Sequence, residues 1–100
     1  MSRYRLDIWD EAEDELFDAV EWYNAEREGL GDQLLVELEQ TLGYVSSTPL
    51  QYPIVDGELR RAMIPRFPYS VIYRLRNDVI EIIAVMHQSR RPDRWKQRRR

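Results

Sequence analysis

The side chains able to do chemistry crowd into one end of this chain. The single histidine, His87, stands close to Arg90 and Arg91, and Arg60, Arg61 and Arg74 precede it. Histidine is the one side chain whose ordinary pKa puts a change of charge near neutrality, and a group of guanidinium ions can hold phosphate. Residues 1–58 carry three basic side chains against fifteen acidic ones, whereas residues 59–100 carry twelve against three. The net charge of −3 therefore hides halves of −12 and +9. A half so charged attracts a polyanion or an acidic partner even though the whole chain is acidic. Cysteine is absent, which excludes disulfides, thiolate metal sites and thiol nucleophiles and fits a reducing cytoplasm. With one histidine and no suitable carboxylate cluster away from a helix face, neither a metal nor another cofactor is expected.

The elements that must position these residues can be read from periodicity. Residues 4–9 alternate and are rich in strand formers, which predicts a short strand. Asp10 stands where a helix N-cap belongs, followed by an acidic first turn. Ala12, Leu16, Ala19, Val20 and Tyr23 then form one helical stripe, opposite Glu11, Asp14, Glu15, Asp18 and Glu21, an acidic face expected to be solvated. This helix should run to about Arg27. A second helix opens at Gly31-Asp32, with a stripe of Leu34, Leu35, Leu38, Leu42 and Val45, and ends at Thr48-Pro49. The short Glu28-Gly29-Leu30-Gly31 joint predicts an antiparallel helical hairpin.

A loop over 49–57, marked by Pro49, Pro53 and Asp56-Gly57, leads into three strands at 59–64, 69–75 and 79–86. Arg60 and Arg61 must point to opposite faces of the first. In the second, Val71, Tyr73 and Leu75 share one face, and Ser70, Ile72 and Arg74 the other. The third is apolar on both faces except at Glu81, which predicts a central strand. The whole is an α+β fold of order β-α-α-β-β-β, with the helical hairpin packed on one face of a mostly antiparallel four-stranded sheet. The opposite face, bearing arginines, is a candidate binding surface. One domain over 1–100 is expected, with a basic tail from about residue 90. Trp95 is expected to anchor that tail to the fold, and Arg98-Arg99-Arg100 to be disordered. No run approaches the ~20 apolar residues that span a bilayer, and MSRYRLDIWD has no signal-peptide pattern. The expectation is a cytoplasmic protein without a membrane partner.

Trp22-Tyr23, Gly29-Leu30-Gly31, the run Arg66-Phe67-Pro68-Tyr69 with Tyr73, and His87 followed by Arg90-Arg91-Pro92, Trp95 and Arg98 occur in this order along the chain. Together they resemble the RelE/ParE toxin superfamily, most strongly its ParE-like, plasmid-stabilisation branch. The resemblance covers almost the whole chain and implies the toxin of a bacterial type II toxin–antitoxin pair. Its partner would be a cognate antitoxin, in a hetero-oligomer, bound through a partly disordered segment that folds on the toxin.

The resemblance also implies one of two targets. RelE-like members cut mRNA in the ribosome without a metal, which requires a base, an acid and cations to hold the phosphate. His87, Arg61 and Arg90 are the catalytic candidates for that chemistry. The set is incomplete, because Gln88 and Ser70 stand where some RNase members place a tyrosine and a phosphate-binding arginine, and Lys96 is the only lysine. ParE-like members poison DNA gyrase by binding, and that reading is preferred. For target or antitoxin binding the candidates are Arg60, Arg61, Arg74, Arg90, Arg91 and Trp95. A structural role for His87, hydrogen-bonding a neighbouring backbone, and a packing role for Tyr69 and Tyr73 stand beside these. A non-toxic nucleic-acid-binding module remains a third class, though no helix-turn-helix, RNP or KH pattern is present.

Overall fold

Both apolar stripes become helices, α1 (Asp10–Glu26) and α2 (Leu30–Ser47). Ala12, Leu16 and Ala19 of α1 face Leu34, Leu38, Leu42 and Val45 of α2 in one buried cluster. The cap of α1 is Trp9 rather than Asp10: its backbone is extended, and Asp10 is the first helical residue. The Trp9 N–H donates to the Ile82 carbonyl at 2.9 Å. Sheet bonding thus continues to the residue at which the helix begins. Gly29 caps α2 with φ of 87°, a conformation that costs glycine little. Gly31 has a different reason to be small. It is buried against α1, its N–H donates to Asn24 Oδ1 at 2.7 Å, and a Cβ there would collide with the Val20 carbonyl oxygen.

The computed structural model describes residues 4–89 and 93–98. Its strands are β1 (Arg5–Ile8), β2 (Ile54–Asp56), β3 (Leu59–Met63), β4 (Tyr69–Arg76) and β5 (Val79–His87), with a last short helix α3 (Asp93–Lys96). The sheet has five strands in the order β1-β5-β4-β3-β2, and β1 lies parallel to β5 while the other pairs are antiparallel. This corrects the expected four-stranded, mostly antiparallel sheet in two ways. The extra strand, β2, lies within what reads as a loop, since Pro53 immediately precedes it and Asp56-Gly57 ends it. An edge strand tolerates such residues. The interior position of β5, with β1 on one side and β4 on the other, agrees with its being apolar on both faces.

A tight turn at Asn77 and Asp78, with φ of 50° and 66°, joins β4 to β5, as a two-residue hairpin of matching twist requires. Along that hairpin Ile72 pairs with Ala84 but Tyr73 pairs with Ile82, so Ile83 is an extra residue. Such a bulge shifts the alternation by one. Ile80, Ile82 and Val85 consequently join the helix-side core with Val71 and Tyr73. Ala84 and Met86 join Ile72 on the opposite face, where Trp95 of α3 covers them. Among the described residues no helix is long and apolar enough to cross a membrane.

The steric constraint at Gly31 can be isolated by comparing two glycines of α2, one buried and one exposed. Gly31→Ala should destabilise by about 1–3 kcal/mol through overpacking. Gly43→Ala, where a Cβ meets nothing within 4 Å, should stabilise by about 0.5–1 kcal/mol through helix propensity. Urea denaturation of both variants checks the pair, and the expected outcome is opposite signs.

Candidate binding cleft on the open sheet face

Among the described residues, most arginines of the second half are bonded within the fold. Arg60 lies on the helix side, where its guanidinium donates to the carbonyls of Leu50 and Tyr52 at 3.1 and 2.6 Å. Its cross-strand neighbour Tyr73 is fully buried and donates its hydroxyl to the Pro49 carbonyl at 2.6 Å. These two side chains pin the chain between α2 and β2, which bears out a packing role for Tyr73. Arg74 lies on the open face, but its Nε donates to Glu81 at 2.6 Å and its guanidinium sits 5.3 Å from the centre of the Trp9 ring. Trp9 Nε1 donates to the other oxygen of Glu81 at 3.4 Å. Arg76 forms two hydrogen bonds to Glu58, which also approaches Arg74 at 3.7 Å.

Arg98 is equally engaged, contrary to the expectation of a disordered end. Strand β1 stops opposite Ile82, and beyond it the outer edge of β5 would present bare backbone groups. Glu15 of α1 accepts the Val85 N–H at 3.1 Å, while Arg98 donates to the Ile83 carbonyl at 2.7 Å. The two side chains also pair with each other through both carboxylate oxygens, at 2.9 and 2.6 Å. Glu15 therefore departs from the solvated acidic face of its helix. Hydrogen bonding to Glu15 raises the Arg98 pKa above its already high ordinary value, against the effect of burial. Nothing in the local sequence signals this pair, whose members are separated by 83 positions.

Arg61 is different. Its backbone N–H donates to the Pro53 carbonyl at 3.0 Å, but its side chain is exposed and, among the described residues, makes no hydrogen bond or ion pair. Together with Val55, Ser70, Ile72, Met86, His87, Gln88, Trp95 and Lys96 it lines a cleft of about 240 Å³. The structure thus gathers three sequence-predicted residues, Arg61, His87 and Trp95, and adds Ser70, Gln88 and Lys96. It places Arg60 and Arg74 elsewhere, and Arg90 and Arg91 lie outside the described residues. Trp95 is 6% exposed and forms an apolar wall, anchoring the tail as its sequence position implies.

His87 ends β5 at the rim of the cleft, edge-on to Tyr69 with ring centres 5.2 Å apart. Its Nδ1 accepts the Ser89 N–H at 3.1 Å and lies 2.8 Å from Ser89 Oγ. A ring nitrogen that accepts an N–H carries no proton, so the neutral ring is protonated on Nε2. That tautomer offers a donor toward its free side rather than a base. Within the cleft no carboxylate or tyrosine supplies a second proton-transfer group, and Lys96 is the other ionisable amine-type side chain.

A helical hairpin on one face of a small mixed sheet, with a cleft on the other face walled by a short last helix, defines an α+β scaffold. The chain matches the family described as the ParE toxin of type II toxin–antitoxin system, parDE, over residues 6–92. It belongs to that family, whose toxins act in systems that include a cognate antitoxin. Among solved structures, a chain of the chromosomal ParDE TA system from P. aeruginosa superposes with a TM-score of 0.76 at 15% identity, covering 85% of this chain and 96% of that one. At that identity the likeness concerns the fold. No curated protein matches the chain in sequence.

The latch at Pro49 gives a pH signature. Burial, reinforced by Tyr52 and opposed by Arg60, pushes the Tyr73 phenol up to about 12, whereas an unfolded tyrosine ionises near ~10. The unfolded chain therefore loses its proton first. Tyr73 contributes stability fully below pH ~10, and that contribution is lost as pH rises toward about 12. The phenolate absorbance of the folded protein should include a late step toward pH about 12 from Tyr73. Tyr73→Phe should remove that late titration and cost about 1 kcal/mol for the lost hydrogen bond.

Proposed function

We propose that this protein is a type II toxin that acts in the cytoplasm by binding, with DNA gyrase as its target and a cognate antitoxin as its inhibitor. Family membership supports the toxin role, and the description of the P. aeruginosa relative as a ParDE system supports an antitoxin that forms a complex with it. The observation that carries a binding rather than a cutting mechanism is the composition of the cleft. Metal-free RNA cleavage through a 2′-hydroxyl needs a proton acceptor and a proton donor on opposite sides of the phosphate. Here one histidine faces the cleft with its Nδ1 already bonded to the Ser89 N–H, and a buried serine, Ser70, lies in it without a charge. Arg60 and Arg74, guanidinium groups of the kind that holds phosphate, are bonded within the fold.

The competing reading, a ribosome-dependent mRNA endonuclease, retains one observation, the shared cleft of Arg61 and His87. A single variant separates the two. In the binding mechanism His87→Ala keeps most of its potency against purified gyrase, read as inhibition of supercoiling. In the endonuclease mechanism the same change lowers ribosome-bound mRNA cleavage by about 10²–10⁴-fold, the usual contribution of general acid–base catalysis. Cleavage of ribosome-bound mRNA by the wild type, with supercoiling unaffected, would overturn the proposal.

A further inference from the structure

Ser70 is the one buried side chain among the described residues whose polar atom lacks a hydrogen-bond partner. It is 3% exposed, in the middle of β4, flanked across the sheet by Met63 and Met86. A serine enclosed by apolar neighbours gains nothing from its hydroxyl unless a partner arrives, since an unmatched buried hydroxyl costs stability. Native structures satisfy nearly all such groups. Ser70 is one of the residues that line the Arg61 cleft, together with Gln88 and Lys96. Residues carrying a guanidinium, an ammonium, an amide and a hydroxyl therefore line one small cleft, and no carboxylate is among its described lining residues.

We infer that this cleft is a carboxylate subsite, in which Ser70 and Arg61 receive an aspartate or glutamate side chain of a bound acidic polypeptide. Three features favour one carboxylate on a polypeptide over a nucleic-acid backbone. The cations that would extend a track for successive phosphates, Arg74, Arg76 and Arg98, are each bonded to glutamates of this chain. Trp95 is packed into the wall, so it offers no open face on which a base could stack. The remaining lining, Val55, Ile72 and Met86, is apolar and suits the methylenes of a glutamate or the side chain beside it. The inference rests on the reading of this face as a polypeptide-binding surface and is independent of whether gyrase is the target.

The experiment uses the full chain and three probes, a short glutamate-rich peptide, inorganic phosphate and a single-stranded oligonucleotide, at matched ionic strength. Binding is followed by the amide resonances of Ser70 and Gln88 and by melting temperature. The peptide should shift those resonances saturably and raise the melting temperature of the wild type. Ser70→Ala should melt no lower than the wild type when free, because it removes an unmatched hydroxyl, yet bind the peptide about tenfold more weakly, the value of about one charge-assisted hydrogen bond. Arg61→Ala should weaken the peptide at least as much. A free Ser70→Ala protein that melts lower but binds the peptide normally would show the hydroxyl to be structural, overturning the inference. Phosphate or oligonucleotide binding equal to or tighter than the peptide would overturn it too. The supercoiling assay is untouched by either result, so this inference and the gyrase reading fail separately.

Discussion

The bare edge of β5 is the constraint on which much of this structure turns. A strand whose neighbour stops after four residues leaves backbone N–H and C=O groups open to water or to another chain. Here the edge beyond Ile82 is closed by side chains from the two ends of the protein, Glu15 accepting from Val85 and Arg98 donating to Ile83. A carboxylate and a guanidinium in that arrangement satisfy backbone groups and each other at once. Because Arg98 must reach the edge, α3 is drawn across the open sheet face, and Trp95 covers Ile72, Ala84 and Met86. The bulge at Ile83 belongs to the same design. It turns Ala84 and Met86 toward that face, where α3 can bury them.

This arrangement also decides what the positive charge of the second half is for. Most of its described arginines on the sheet are internal fasteners: Arg60 to two loop carbonyls, Arg74 and Arg76 to glutamates, Arg98 to Glu15 and Ile83. Glu81 pairs with Arg74, Glu58 with Arg76 and Glu15 with Arg98, and of these only Glu15 lies far along the chain from its arginine. Among the described residues, much of this positive charge is thus taken up by bonds within the molecule. Arg61 is the exception, and it faces the cleft in which Ser70, His87, Gln88, Trp95 and Lys96 meet.

Periodicity exposed the local elements because each buries one face. The stripes from Ala12 to Tyr23 and from Leu34 to Val45, and the alternation from Val71 to Leu75, are all recovered in the core or packed against it. What the sequence left hidden is non-local. The three residues of β2 are too few for alternation to register, and flanking Pro53 and Gly57 read as loop punctuation. The bulge is invisible because Ile82, Ile83 and Ala84 are all apolar, so a one-residue shift leaves the pattern unchanged. The parallel placement of β1 and the Glu15–Arg98 pair depend on contacts between distant positions, for which a single sequence carries no signal. The cleft was half legible. Arg61, His87 and Trp95 stood out by residue type, whereas Ser70 matters through burial without a partner.

The central claim is that Arg60, Arg74 and Arg98 hold the fold while Arg61 is left for binding. Thermal denaturation of the four single arginine-to-alanine variants tests it most directly. Arg61→Ala should melt with the wild type, and Arg60→Ala, Arg74→Ala and Arg98→Ala should melt lower because each leaves part-buried carbonyl or carboxylate oxygens unmatched. An Arg61→Ala protein destabilised as much as the others, or unchanged melting in the other three, would contradict it.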